Sequence, residues 1–263
     1  MTLWVRYAAG DAEGFGTLDG ETIAVHAGDM FATPTPTGET LPLTAVRLLA
    51  PVRPRLFIGL WNNFHAVATA QGYGIPDYPL HFLKSPGSII GPEDEIRAPK
   101  SYAGRIVYEG ELGVVIGQRC SDLDDAAAEA AIFGYVCVND VTAPDLFGDN
   151  PRFEQWARAK GCDTFGPIGP AIATGLDWRG LRVRTLLNGR ERQNYEVADM
   201  ILPPPRIVSL LSREMTLLPG DLITCGTAAG ILPMRPGATV EVAIEGIGVL
   251  RNTVAAKDQA PSA

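Results

Sequence analysis

Glycine and proline, spread along the whole chain, restrict the fold more than any other feature of this sequence. The 263 residues include 29 glycines and 21 prolines, and most apolar runs between them are short. Short apolar runs bounded by turn residues are typical of β-strands, whereas long helices need uninterrupted periodic segments. The sequence therefore predicts a β-rich α+β protein with few helices.

The turn residues also divide the chain. Residues 1–50 are predicted to form a small N-terminal β module, because strand-like runs follow one another at 3–7, 14–18 and 22–25. The proline-rich stretch 49–54 is a predicted linker into a main domain over 54–255. Residues 256–263 are predicted to be a disordered tail. Within the main domain we expect helices only at 62–74, 122–131 and 204–213.

Charge and cysteine content exclude several classes of function. The net charge is −8 and the pI is about 4.9, so we expect no nucleic-acid partner and no anionic membrane partner. Four scattered cysteines without a C-x-x-C pair, and no secretory leader, indicate the reducing cytoplasm. Apolar runs all fall short of the ~20 residues that a membrane-spanning helix needs. The sequence predicts a soluble cytoplasmic protein.

Two carboxylates inside an apolar run form the clearest candidate site. Glu109 and Glu111 are two residues apart, which places both on one face of a strand. Burying two like charges is costly unless a cation lies between them. Asp140 ends a second apolar run, 132–138, and can supply a third oxygen ligand. Without nearby cysteine or paired histidine, such a set favours Mg²⁺ or Mn²⁺ over zinc. The alternative is an exposed Glu-x-Glu on an edge strand.

Seven short motifs occur in an order that resembles the fumarylacetoacetate hydrolase superfamily. The resemblance covers roughly residues 54–254, and residues 1–50 are similar to the small N-terminal extension of that family. Within it, the chain most resembles the branch of 2-hydroxyhepta-2,4-diene-1,7-dioate isomerase and 5-oxopent-3-ene-1,2,5-tricarboxylate decarboxylase. The motifs are Phe82-Leu83-Lys84, the segment 108–112, Gly134-Tyr135 with Asn139-Asp140, the segment 166–170, Asn188-Gly189, the segment 218–221 and Gly226-Thr227.

The resemblance implies a mixed β-roll, a homodimer and a Mg²⁺- or Mn²⁺-dependent enzyme that acts on a small 2-oxo acid through a metal-bound enolate. Glu109, Glu111 and Asp140 match the three metal ligands of the family. Further matches imply two catalytic residues and two residues that hold a substrate carboxylate. These are His65 as the base, Lys160 as a group that reaches the substrate, and Gly226 and Thr227 on the carboxylate-binding loop.

The chain departs from the family pattern at several positions. Ala68 stands where many members carry a glutamate that pairs with the histidine, and Pro144 stands where many carry an arginine. Trp61, Phe64 and Phe147 are predicted to line a more apolar substrate pocket, suited to a bulky or less charged tail.

These departures favour isomerisation or decarboxylation in the catabolism of aromatic compounds, because both need mainly an electron sink and one proton shuttle. An acylpyruvate-type C–C hydrolase is an alternative, and it would need Gln71 or Asp77 to orient His65. The third hypothesis is a metal-dependent ligand-binding protein that has lost catalysis.

Overall fold

The computed structural model describes residues 1–256, and strands dominate them. The β-rich α+β class predicted from the sequence is confirmed. Residues 257–263, nearly all of the predicted tail, lie outside the described residues. Within the described part of the chain, no helix combines the length and the apolar character needed to cross a membrane.

Nineteen strands and four α-helices make up the described fold. The N-terminal module (residues 1–50) contributes β1 (Thr2–Ala9), β2 (Ala12–Asp19), β3 (Thr22–Ala27), β4 (Thr35–Pro42) and β5 (Arg47–Leu49). The middle of the chain contributes β6 (Phe57–Trp61), β7 (Leu80–Lys84), β8 (Ile89–Ile90), β9 (Glu95–Ile96), β10 (Ile106–Val107), β11 (Gly110–Ile116), β12 (Ile132–Asn139) and β13 (Gly166–Thr174). The last third contributes β14 (Arg182–Leu187), β15 (Arg190–Glu196), β16 (Leu222–Thr224), β17 (Pro233–Met234), β18 (Thr239–Ile244) and β19 (Gly248–Val254). The helices are α1 (His65–Gln71), α2 (Asp125–Ala131), α3 (Trp156–Lys160) and α4 (Pro204–Glu214).

A large mixed sheet forms the framework. Its strand order is β4-β3-β2-β1-β13-β12-β11-β16-β6-β7, with β5 added to β1 and β8 added to β13. Most neighbours are antiparallel, but β16 runs parallel to β6 and β13 parallel to β8. The N-terminal module continues this sheet, because β1 pairs with β13 through Trp4 and Ile172. A second sheet, β15-β14-β18-β19-β9, completes the predicted β-roll, and β10 pairs with β17.

The centre of the large sheet is buried on both faces. All seven residues of β11 are buried, and successive side chains of a strand point to opposite faces. Val114 packs in the main core, which includes Val183 of the second sheet. Val115 belongs to the cluster of Val136 on the other face. Strands buried on both faces give the residues at their ends a rigid support.

Two of the four helices lie inside predicted segments, and α4 extends one residue beyond a third. α1 occupies part of 62–74 and ends at Gly72, whose φ of 70° is the left-handed conformation that glycine tolerates. α2 begins after Asp124, whose side chain accepts a hydrogen bond from the Ala127 N–H at 2.8 Å. α4 matches the third predicted segment. The five-residue α3 was not predicted, because it is too short to show a periodic pattern.

Asp221 closes the turn between α4 and β16 and is fully buried. Its Oδ1 accepts from the Leu56 N–H at 2.8 Å, and its Oδ2 accepts from the Leu218 N–H at 2.8 Å. Arg55 donates to the same Oδ2 at 2.9 Å. One carboxylate therefore joins the start of β6 to the turn before β16, where these two strands pair in parallel.

We expect Asp221→Ala to lower the free energy of unfolding by about 3 kcal/mol, because hydrogen bonds to a charged acceptor contribute about 1.5–3 kcal/mol and buried donors would be left unpaired. Urea denaturation followed by circular dichroism measures the change. The control is Glu245→Ala, at an exposed position in a turn. Equal stability of the two variants would contradict an anchoring role for Asp221.

Candidate metal centre

The register of two neighbouring strands brings three carboxylates together. Glu109 comes directly before β11, Glu111 is the second residue of β11, and Asp140 directly follows β12. β11 and β12 are antiparallel with Gly110 opposite Asn139, so the start of one lies beside the end of the other. One ligand oxygen from each carboxylate lies within 4.8 Å of the other two.

Gly110, between the two glutamates, allows this segment to pack closely. A Cβ at position 110 would lie 2.0 Å from Oγ1 of Thr185 on β14. The Gly110 carbonyl also accepts hydrogen bonds from the hydroxyls of Tyr195, at 2.6 Å, and Thr227, at 2.9 Å. The second sheet therefore fixes the backbone from which both glutamates extend.

Two buried lysines hold Asp140. Lys160, the last residue of α3, donates to Asp140 Oδ2 at 2.6 Å and to Glu109 Oε2 at 2.7 Å. Lys84, the last residue of β7, donates to Asp140 Oδ1 at 2.5 Å and to the Lys160 carbonyl at 2.6 Å. The side chain of Lys160 is 5% exposed and that of Lys84 is 0% exposed. Lys84 therefore supports both Asp140 and the end of the helix that carries Lys160.

Glu111 is bonded through only one of its two oxygens. Its Oε2 accepts from the Thr224 hydroxyl and, at 2.7 Å, from the Gly226 N–H. Its Oε1 is buried and has no hydrogen-bond partner within residues 1–256. A buried acceptor without a donor is costly, and a cation at this oxygen would remove that cost.

Burial and mutual repulsion set the charges of the cluster. Burial, together with the neighbouring charge of Asp140, raises the pKa of Glu109 and raises that of Glu111 well above its usual value. Burial also acts to raise the pKa of Asp140, but the two lysines outweigh it and lower that pKa. Two ammonium groups thus face three carboxylates, and Glu111 is the one with the least positive charge beside it.

The residues fit a hard divalent cation. Carboxylate oxygens are the ligands that Mg²⁺ and Mn²⁺ prefer, and each of the three carboxylates keeps unused lone pairs. The side chain of Glu109 is 15% exposed whereas that of Asp140 is fully buried. The cluster therefore opens to solvent on the side of Glu109, where an ion and a ligand can enter.

The structure gives Gly226 and Thr227 partners within the protein. The Gly226 N–H donates to Glu111, as described above. The Thr227 hydroxyl donates to the Gly110 carbonyl and accepts from Gln193 Nε2 at 2.8 Å. In this conformation both residues support the metal-binding segment, and the binding of a substrate carboxylate by them stays a prediction.

His65 is exposed at the first position of α1. The position three residues later is Ala68, which is fully buried and carries no carboxylate. Asp199 lies at this helix end, but its Oδ2 accepts from the Ala66 N–H at 3.0 Å. The His–Glu pair of other family members therefore has no counterpart at Ala68.

The three predicted aromatic residues lie in different places. Trp61, 41% exposed, lines a cavity beside Phe82 and Trp156. Phe147 is not part of the lining of that cavity but packs against Trp156, with ring centroids 4.6 Å apart. Phe64 is 1% exposed and packs edge-on against Tyr195 in the main core. Phe64 is therefore part of the main core and is not available to contact a ligand in this conformation.

Sequence reasoning missed three residues of this region. Lys84 is part of a family motif, and a lysine two residues after a buried phenylalanine on a strand faces the same buried side. That alternation was a usable signal. The signal for Thr224 was weak, since threonine is common in strands, and Trp156 lies on the unpredicted helix α3.

Comparisons with known proteins identify the family to which this fold belongs. A family model described as fumarylacetoacetate (FAA) hydrolase, C-terminal, matches residues 57–255, and one described as Rv2993c-like, N-terminal, matches residues 3–51. Protein Rv2993c of Mycobacterium tuberculosis is 42% identical over 262 residues, covering 96% of this chain and 97% of that protein. The crystal structure of 2-hydroxyhepta-2,4-diene-1,7-dioate isomerase from Mycobacterium marinum has a TM-score of 0.90 and 39% identity, covering 98% of this chain and 100% of that one. Fumarylacetoacetate hydrolase from Exiguobacterium antarcticum has a TM-score of 0.84 and 30% identity, with the same coverage. The chain therefore belongs to the fumarylacetoacetate hydrolase family, as its motifs predicted.

Proposed function

We propose that this protein is a divalent-metal-dependent enzyme that acts on a 2-oxo acid or its enol, with Mg²⁺ or Mn²⁺ held by Glu109, Glu111 and Asp140. The observation that carries the proposal is the buried Glu111 Oε1, which lacks a donor among the described residues while two more carboxylates converge on it. When bound, a divalent cation supplies a Lewis acid that stabilises negative charge developing on the keto oxygen of the substrate. We favour isomerisation or decarboxylation, in the catabolism of aromatic compounds.

Lys160 provides a fixed positive charge and is not the base. Burial acts to lower the pKa of its ammonium, but Asp140 and Glu109 outweigh this effect and the pKa is raised. Nζ therefore keeps its proton at neutral pH. An ammonium that is already in position can bind the substrate carboxylate or stabilise an enolate as its charge develops.

Because Lys160 stays protonated, another group has to move the proton, and His65 is the proposed carrier. Its exposed position at the start of α1 lets it exchange protons with solvent. Ala68 offers no carboxylate to hold the ring for the activation of water. Isomerisation removes a proton from one atom of the substrate and returns one to another atom, and decarboxylation releases CO₂ and adds one proton to the enolate. Neither reaction needs an activated water, which is why we favour them over hydrolysis.

C–C bond hydrolysis is the main alternative, because the compared structures include one named an isomerase and one named a hydrolase. Metal-dependent binding of a 2-oxo acid without turnover is the remaining alternative. We also propose that the protein is cytoplasmic and, from the family resemblance, that it is a homodimer. Light scattering in solution can test the dimeric state.

Exchange of the C3 hydrogens of pyruvate with D₂O tests enol chemistry without knowledge of the natural substrate. We expect proton NMR to show faster exchange with protein and Mg²⁺ together than with Mg²⁺ alone or with protein and EDTA. His65→Asn should slow this exchange about a hundredfold, the lower end for general acid–base catalysis, with pyruvate affinity unchanged. His26→Asn, on β3 of the N-terminal module, is the matched control and should exchange at the wild-type rate.

The outcomes separate the candidates. Metal-dependent exchange that is lost in His65→Asn supports the proposal. Absence of exchange above the Mg²⁺ background, with pyruvate still bound, indicates a ligand-binding protein and contradicts it. If an acylpyruvate is supplied in place of pyruvate, its cleavage into two carboxylic acids, identified by proton NMR, would establish hydrolysis.

A further inference from the structure

An aromatic cavity lies at the edge of the large sheet, next to the acidic cluster. Its volume is about 390 Å³, within the range of about 300–1,000 Å³ that small-molecule sites occupy. Strands β6 and β7 and helix α3 contribute most of its walls. The lining residues are Trp61, Tyr78, Pro79, Leu80, His81, Phe82 and Trp156.

One aromatic ring separates this cavity from the carboxylates. Phe82 lines the cavity, and the Nζ of Lys160 lies 5.0 Å from the centre of its ring. The same Nζ is 2.7 Å from Glu109, the carboxylate on the open side of the cluster. The acidic cluster and the cavity therefore adjoin each other at Phe82 and Lys160.

The walls are held in place by packing. A Cβ at Gly59 would lie 2.3 Å from Cζ of Phe82, so the ring lies directly on the backbone of β6. The ring of Trp156 contacts that of Phe82, with centroids 5.1 Å apart. Trp61 contacts Tyr73, with centroids 4.9 Å apart. A cavity of fixed aromatic walls binds flat apolar groups at a low entropic cost.

The lining carries no group suited to a second carboxylate. Along the described stretch of the chain, no lysine or arginine lines the cavity. His81 is the one basic side chain there, and its Nδ1 donates to the Pro79 carbonyl at 3.1 Å. A tail carboxylate would lose water without gaining a cation, whereas a ring would gain from apolar burial.

From this geometry we propose that the cavity binds the tail of the substrate and selects a 2-oxo monocarboxylate with an aryl or other bulky apolar end over a 2-oxo diacid. The inference rests on the proposed function, because it requires the 2-oxo head to bind at the acidic cluster. It also separates this chain from relatives whose names specify a dioate substrate.

Three ligands with one skeleton test the inference. 2-Oxobutanoate, 2-oxo-4-phenylbutanoate and 2-oxoglutarate share the same head and differ only in what C4 carries: hydrogen, phenyl or carboxylate. Dissociation constants are measured by calorimetry with the Mg²⁺-loaded protein at pH 8. We expect the phenyl compound to bind at least about tenfold more tightly than 2-oxobutanoate. We expect 2-oxoglutarate to bind no more tightly than 2-oxobutanoate.

Variants at Trp61 connect the selectivity to the cavity. Its side chain is partly exposed, so Trp61→Ala and Trp61→Arg are expected to fold. Trp61→Ala should remove most of the preference for the phenyl compound over 2-oxobutanoate. Trp61→Arg should in addition increase the affinity for 2-oxoglutarate, because it places a cation beside the tail carboxylate. Val249→Ala, at an exposed apolar position on β19, is the control and should show the wild-type order of affinities for the three ligands.

Failure of the inference and failure of the proposed function give different results. If all three ligands fail to bind in the presence of Mg²⁺, the proposed function is contradicted, and the inference with it. If 2-oxobutanoate binds but phenyl brings no gain, or if Trp61→Ala leaves the gain intact, only the cavity assignment is overturned. It is also overturned if Trp61→Arg dissociates a dimer without altering selectivity, because the aromatic face is then a subunit interface.

Discussion

Glu111→Gln is expected to abolish Mg²⁺ and Mn²⁺ binding and to reduce turnover on the order of a thousandfold, while the fold stays at least as stable as in the wild type. The expected loss of turnover follows because a bound Lewis acid stabilises the transition state by several kcal/mol, and each factor of ten in rate corresponds to about 1.4 kcal/mol. The retained stability follows from the environment of Glu111. Burial and the nearby charges of Asp140 and Glu109 raise its pKa, so the ionised side chain is unfavourable there.

The amide suits this position without the metal. Its oxygen can accept from Thr224 and Gly226 as Oε2 does, and its NH₂ group can take the place of the unpartnered Oε1 and donate to a neighbouring carboxylate. Calorimetry with Mg²⁺ and Mn²⁺, combined with thermal unfolding, measures both effects. Glu245→Gln, at an exposed turn, is the control. An unchanged affinity for the metal in Glu111→Gln would remove the basis of the metal centre.

The pH dependence of metal binding provides a second measurement on the same variant. Because the pKa of Glu111 is raised, this carboxylate takes up a proton as the pH falls through that raised value, and the proton competes with the metal. Affinity in the wild type should therefore weaken toward acidic pH, with proton release on binding. Glu111→Gln should show neither this pH-dependent binding nor the proton release.

The strand carrying the glutamates could be predicted because several local signals agree there. The apolar run and the two-residue spacing of the glutamates both favour a buried strand, and its neighbour that ends at Asp140 follows from a second apolar run. α2 and α4 were predictable for the same reason, from an acidic cap and a helical period. In these segments short-range sequence patterns and tertiary packing specify the same structure.

The parts that escaped prediction depend on contacts between distant residues. The cavity joins Trp61, Tyr78 and Trp156, which lie on three separate segments, and local patterns carry no information about such a meeting. The hairpin of β14 and β15 was missed although Asn188-Gly189, both with positive φ, is a strong two-residue turn signal. Lys84 was missed as a site residue because lysine is usually exposed, and only the position of Asp140 explains its burial.

Two lysines bind the same carboxylate, and replacing each with methionine should separate catalysis from stability. Lys160→Met should reduce kcat roughly a thousandfold, the upper range for removing one donor that stabilises developing negative charge. Lys84→Met should reduce the free energy of unfolding by about 3–5 kcal/mol, the usual cost of removing one partner from a buried ion pair. The difference arises because Lys160 lies by the open side of the cluster, near Glu109, whereas Lys84 is sealed behind Asp140.

Mg²⁺ should distinguish the two variants further. In Lys160→Met the ion can supply the positive charge that Glu109 and Asp140 have lost, so saturating Mg²⁺ should restore most of the stability without restoring kcat. In Lys84→Met the inner side of Asp140 and the Lys160 carbonyl both lose their donor, and an ion on the open side cannot replace it. Urea unfolding with and without Mg²⁺, beside steady-state kinetics on the best ligand of the 2-oxo acid series, measures both quantities. Equal losses of kcat in the two variants, with equal rescue by Mg²⁺, would mean that Lys160 acts only through the position of Asp140 and that the charge facing the substrate comes from elsewhere.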